Sequence, residues 1–285
     1  MPLRFPIAAG LSSYMDAVQP RQGRWTMKLF RQRLFVLGIA ALMAPSAGWT
    51  RDLLPLSASS AGIETIKATV DGQEGTYLFD SGIGTSGVTP AVAAAIGCKP
   101  WGKITGFRAT GERLDVPRCN SSTVKIGAFA TTLPQLSVFD LARFMGPASA
   151  GLAGAIGLDV FVGRTVTLDV ANHQLAIEDA ASLKAIRKTA VEVPIRLVRV
   201  AEGAALTVDI GVPTLSGMAW MELDTGNYGP SMVDRSIARV FGLNVAETKL
   251  QQWTVPLSDR LKLSGPVVVK DLILDGNLGR DVLRR

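Results

Sequence analysis

The sequence predicts a mainly β fold built from two units in tandem. Three observations predict it. Short runs rich in β-branched residues alternate with Gly, Asn and Asp turn signals. Helix-like stretches are few and short. One local order, an apolar strand followed by Asp-Ser/Thr-Gly and later by a Gly-x-x-Gly-x-Asp segment, occurs twice.

The elements follow in chain order. Residues 1–48 read as an N-terminal extension plus a signal peptide at about 27–48. Met27-Lys28-Leu29-Phe30-Arg31-Gln32-Arg33 is basic, Leu34–Ala44 is an apolar run of 11 residues, and Ser46-Ala47-Gly48 supplies small residues for cleavage. A bilayer span needs about 20 apolar residues, so no stable membrane span is expected after cleavage. The chain is therefore expected to be exported, to the periplasm or beyond, with translation starting at Met27. The formal charge of +6 is also local. Six basic residues and one acid give residues 1–50 a net +5 and leave +1 for the rest. That distribution speaks against a nucleic-acid partner. With 47% apolar residues the body can bury a sizeable core.

Residues 49–62 read as a small polar linker, and 63–182 as the first unit. Ile63–Val70 and Gly75–Phe79 are strands around an Asp71-Gly72 turn. Pro90–Ile96 is an alanine-rich helix closed by Gly97. Strands follow near 104–107, 113–116, 123–126 and 136–139. A final pair, 165–170 and 174–177, turns at Ala171-Asn172-His173. Lys184–Lys188 reads as a linker. Residues 190–285 form the second unit: strands at 191–200, 204–210 and 218–223, a helix-like Ser231–Phe241 stopped by Gly242, then strands at 261–263 and 267–274. Gly276-Asn277-Leu278-Gly279-Arg280-Asp281 lines up with Gly154-Ala155-Ile156-Gly157-Leu158-Asp159. Only Arg284 and Arg285 follow Leu283, so the second unit is expected to be C-terminally truncated, without a counterpart of 165–177.

The duplicated loops carry the chemistry. Tyr77-Leu78-Phe79 delivers Asp80, Ser81 and Gly82; Met221-Glu222-Leu223 delivers Asp224, Thr225 and Gly226. Glycine permits a tight backbone turn, and each hydroxyl can bond across to the other loop. Facing loops would hold two carboxylates a few ångströms apart. Like charges that close share one proton, which suits them to general acid–base hydrolysis. If the carboxylates pointed apart, each unit would instead pair with its like in a homodimer.

The chain resembles the retropepsin-like aspartic proteases, in the exported bacterial form with two protease units in one chain. The resemblance covers roughly 60–285. It rests on Phe79-Asp80-Ser81-Gly82, Leu223-Asp224-Thr225-Gly226, Ala155-Ile156-Gly157, Asn277-Leu278-Gly279 and Thr167-Leu168-Asp169. It implies two acid-protease-like β-barrel units forming a pseudo-dimer and an aspartic endopeptidase acting on peptide or protein substrates without cofactor or metal. Asp80 and Asp224 would be catalytic, with Ser81, Gly82, Thr225 and Gly226 as the supporting loop. Ile156, Gly157, Leu278 and Gly279 would pack beneath it. Flap hairpins would lie near Ile104–Val116 and Gln252–Leu263. Family loops carry Ala where this chain has Ile83 and Asn227.

Other chemistries find less support. Cys98 and Cys119 either bridge, closing a loop of roughly 20 residues, or stay as buried thiols. Without a nearby histidine they make no zinc site. Gly82-Ile83-Gly84-Thr85-Ser86-Gly87 matches a dinucleotide fingerprint, but no βαβ alternation surrounds it and the second copy loses the spacing. His173, the only histidine, sits in a turn away from any candidate nucleophile. Asp159, Asp169 and Asp281 read as structural carboxylates, and Trp253, near the second flap, as a core or rim aromatic. The alternative function is a non-catalytic exported binding or scaffold module that keeps the protease fold.

Overall fold

The structure, a computed structural model, describes residues 5–8, 51–59 and 62–284; the expected signal peptide lies outside these. Mainly β architecture follows from the alternation of apolar and polar residues. Glu64–Val70 and Gln73–Phe79 form an antiparallel pair around Asp71 and Gly72, both at positive φ as a tight hairpin turn requires. Phe79 then lies beside Ile156 in a parallel pairing with Leu152–Ile156. Leu152–Ile156 also pairs antiparallel with Gly87–Val88, which pairs parallel with Leu136–Val138. The first sheet thus curls from Phe129–Leu133 at one edge to the hairpin Trp101–Phe107/Arg113–Cys119 at the other.

The second sheet repeats this order of pairings. Thr207–Thr214 pairs antiparallel with Gly217–Leu223, which pairs parallel with Gly276–Leu278. Gly276–Leu278 pairs antiparallel with Ser231–Asp234, and Ser231–Asp234 pairs parallel with Lys262–Lys270. The hairpin Gln251–Pro256/Lys262–Lys270 closes the far edge. In both halves the strand that ends at the Asp-Ser/Thr-Gly loop sits mid-sheet, its end buried among Tyr77 and Phe79 or Met221 and Leu223. A smaller sheet joins Thr165–Asp169 and Gln174–Ile177 to Asp52–Pro55 on one side and Phe5–Ala8 on the other.

Four sequence expectations change. The linker expected at 49–62 contains strands Asp52–Pro55 and Ser57–Ala58, because Leu54 and Leu56 are spaced to bury on one face. Of the linker expected at Lys184–Lys188, all but Lys188 lies in the helix Ala180–Arg187, started by a reciprocal Asp179–Ser182 capping box. Ser231–Phe241 is not a helix. Ser231–Asp234 is a strand with alternating burial, and only Ala238–Phe241 turns as a 3-10 helix before Gly242 at φ 71°. Period-2 burial wins there because Lys262–Lys270 offers a ladder alongside. That partner is one continuous strand rather than the two expected at 261–263 and 267–274. The helix Pro90–Ala95 forms as its sequence predicts, with Thr89 capping it and Pro90 in its first turn. Trp253 is a core residue, buried and edge-on to Phe241 at 5.5 Å.

Candidate active site

The two Asp-Ser/Thr-Gly loops meet. Each strand end is held first by its own half: the Asp80 N–H donates to the Ile156 carbonyl at 3.0 Å, and the Asp224 N–H to the Leu278 carbonyl at 3.1 Å. The next residues cross over. The Ser81 N–H donates to Thr225 Oγ1 at 2.9 Å, and the Thr225 N–H donates to Ser81 Oγ at 3.0 Å. The Ser81 hydroxyl donates to the Leu223 carbonyl at 2.6 Å, and the Thr225 hydroxyl donates to the Phe79 carbonyl at 3.1 Å. Ser81 and Thr225 are both buried. Every polar atom of this four-bond clasp therefore has a partner, as a dry site requires.

The clasp brings the aspartates together, each carboxylate lying against the glycine of the opposite loop. Glycine is needed beside each for space. A Cβ on Gly82 would sit 2.6 Å from Asp224 Cγ, and one on Gly226 would strike the Asp80 carboxylate. Asp80 Oδ1 accepts the Gly82 N–H at 2.9 Å. Asp224 Oδ1 accepts the Gly226 N–H at 2.8 Å and the Asn227 N–H at 3.1 Å. Burial pushes the Asp80 carboxyl well above the ordinary carboxylate range, and the neighbouring Asp224 charge pushes it further. Burial raises the half-exposed Tyr228 phenol too, followed by the charges of both aspartates.

Ile156, Gly157, Leu278 and Gly279 lie directly beneath the loops. The Gly157 N–H donates to Ser86 Oγ at 2.9 Å, and the Gly279 N–H to Ser231 Oγ at 3.2 Å. In the first half the Ser86 hydroxyl continues to the buried Asp159 carboxylate at 2.6 Å, which also takes the Ser86 N–H at 2.8 Å. Burial outweighs these bonds and raises Asp159 to about 6. Asp159 thus spends both carboxylate oxygens on Ser86. His173 is far along the chain from this site's loops and pairs its Nδ1 with the buried Glu64 at 2.8 Å.

The hairpin predicted as the first flap reaches the other half. The Ile273 N–H donates to the Ala109 carbonyl at its tip, at 2.9 Å. At its base Cys98 and Cys119 are joined by a disulfide, Cα to Cα 5.9 Å, tying the helix Pro90–Ala95 to the end of the hairpin. Among the described residues no cluster of His, Cys, Asp or Glu suits a metal ion, and no helix is long and apolar enough to cross a membrane.

Sequence reasoning missed three polar residues around Asp224. Asn277 Nδ2 donates to Asp224 Oδ2 at 2.7 Å and to Glu222 Oε2 at 3.0 Å, and its Oδ1 accepts from Asn227 Nδ2 at 2.8 Å. The signal was available. Aligning the two copies sets Leu78, Ile83 and Ala155 against Glu222, Asn227 and Asn277, so three apolar positions turn polar in one copy only.

No family model matches the chain, and no curated protein matches it. Among solved structures, a retropepsin-like aspartic protease from Rickettsia conorii is similar over 45% of this chain and 89% of its own, at 13% identity and a TM-score of 0.31.

Proposed function

We propose that the chain is an aspartic endopeptidase of the retropepsin-like type, with its two halves acting as the two protease units and Asp80 and Asp224 as the catalytic dyad. One observation carries this reading: two Asp-Ser/Thr-Gly loops, 144 residues apart, clasp each other reciprocally and set each carboxyl against the glycine of the other loop. A pair so close keeps one proton between its members. The ionised carboxylate takes a proton from a water held between the two, and the resulting hydroxide adds to the peptide carbonyl carbon. The protonated carboxyl gives its proton to the carbonyl oxygen. Collapse of the diol then moves a proton to the amide nitrogen as the C–N bond breaks, and the dyad is restored to its starting protonation. Nothing in this sequence forms a bond to the protein.

The first flap supports a peptide substrate. Its tip hydrogen-bonds to the opposite half, so the hairpin reaches across both Asp-bearing units. An extended segment lying beneath such a hairpin can pair with its backbone. The Cys98–Cys119 disulfide fits an oxidising compartment, which agrees with the basic, apolar and small-residue pattern at 27–48. The reading is tested by digesting a peptide library with and without a statine-type inhibitor, whose hydroxyl mimics the diol. Cleavage that the inhibitor blocks is expected. Cleavage that it leaves untouched, or that a metal chelator blocks instead, rules the dyad out.

A further inference from the structure

The two aspartates sit in different surroundings. Behind Asp80, Leu78 and Ala155 face each other across the parallel strand pair and pack with Ile63 and Ile83. Behind Asp224, the register partners are Glu222 and Asn277, and Asn227 takes the place of Ile83.

These three form an oriented chain of hydrogen bonds. It starts at the backbone: Asn227 Oδ1 accepts the Gly229 N–H at 3.0 Å, and Asn227 Nδ2 donates to the Pro230 carbonyl at 3.2 Å. Those partners, one a fixed donor and one a fixed acceptor, decide which end of the amide is which. The Asn227 Nδ2 then donates to Asn277 Oδ1, which obliges the Asn277 Nδ2 to face Asp224 and Glu222. Its two hydrogens meet two acceptors. Asp224 consequently accepts donors on both oxygens, two N–H groups on Oδ1 and the amide on Oδ2. Asp80, among the described residues, accepts a backbone N–H on one oxygen only. Donors aimed at a carboxylate favour its charged form.

We propose that Asn277, oriented by Asn227, is a positioning residue that keeps Asp224 ionised and places the dyad's proton on Asp80, with Glu222 as the outer anchor of its amide. This rests on the dyad reading given above, and it makes the two aspartates unequal: Asp224 the base, Asp80 the acid. The state of Glu222 agrees with the anchoring role. Burial, and after it the Asp224 charge, raises Glu222 to about 8, so at neutral pH it offers an acceptor without setting a second negative charge beside Asp224. Asp209 faces it from the adjacent strand and pushes it up, the Thr207 hydroxyl draws it down, and Arg196 and Asp275 act on Asp209 in turn.

The test is a carboxyl-carbon NMR titration of the unliganded protein labelled at aspartate. Wild type, Asn277→Ala and Asn227→Ile would be compared, with Asp80→Asn assigning the signals and the pH profile of peptide cleavage recorded alongside. In wild type the Asp80 carboxyl should stay protonated while Asp224 is ionised. In Asn277→Ala the Asp224 transition and the acid limb of cleavage should both rise by about one pH unit, a tenfold change in the ionisation constant. Asn227→Ile should give a smaller shift in the same direction, and it carries the test if Asn277→Ala does not fold. Unmoved Asp224 titration, or activity lowered by one factor at every pH, overturns the proposal. If wild type cleaves nothing but the NMR shift occurs, the protease reading fails and the placement of the proton stands.

Discussion

Each clasp hydroxyl acts as donor and acceptor at once, so its loss is felt twice. Ser81→Ala removes the donor to the Leu223 carbonyl and the acceptor for the Thr225 N–H, both in a buried setting. A buried group left unsatisfied costs about 1–3 kcal/mol, so the variant should lose at least ~2 kcal/mol in urea unfolding. Thr225→Ala removes the mirror pair and should cost a similar amount. Because both substitutions break one network, the double variant should lose less than the sum of the two, which a double-mutant cycle would register. The same scale governs activity. Asp80 is held far above the usual carboxylate range by burial and by the charge of Asp224. Cleavage by the proposed mechanism needs that proton in place and its partner ionised. The pH profile should be bell-shaped, with an alkaline limb well above the normal titration of a carboxyl.

At the scale of elements, the flap hairpin depends on a staple at its base. Removing the Cys98–Cys119 bridge frees a loop of 21 residues and should cost about 3 kcal/mol in the chain-entropy account. Cys98→Ser with Cys119→Ser should therefore lower the Tm, read by calorimetry, and speed proteolytic nicking within 101–119. Elements also show what the sequence made legible. The helix at Pro90–Ala95 was readable because Thr89, Pro90 and Gly97 are local signals. The Asp71-Gly72 turn was readable for the same reason, whereas the two hairpins were placed by the family resemblance. Ser231–Asp234 was not, because its strand character comes from a ladder with Lys262–Lys270, more than 30 positions away in sequence. Asp52–Pro55 was hidden likewise, since its partner Gln174–Ile177 is remote. At the site, Asp80 and Asp224 could be found from a repeated motif. Asn277 could be found only by asking where the repeat fails, at Ala155 and Asn277.

At the scale of the whole molecule, buried acids tie stability to pH, Asp159 and Glu222 among them. Asp159 is raised to about 6 and Glu222 to about 8, both chiefly by burial. Each folded-state value lies above its unfolded one, so the folded protein binds these protons more tightly. Their contribution is complete below about pH 4 and falls away as pH rises, to about 6 for Asp159 and about 8 for Glu222. The Tm should accordingly drop between pH 5 and pH 8, and Glu222→Gln should flatten the upper part of that decline. The two sheets are joined at the clasp, at the flap tip on Ile273 and through the Leu206 N–H to the Gly84 carbonyl at 2.8 Å. The Asp80–Asp224 pair is therefore assembled only while both halves stay docked, so on the proposed reading activity and folded structure should be lost together on heating. The central claim, that Asp80 and Asp224 hydrolyse peptides as one dyad, is tested most directly by comparing peptide-library cleavage by the wild-type protein and by Asp80→Asn at matched Tm. The dyad account predicts that cleavage disappears in Asp80→Asn while the fold is retained; cleavage that persists in the folded variant would contradict it.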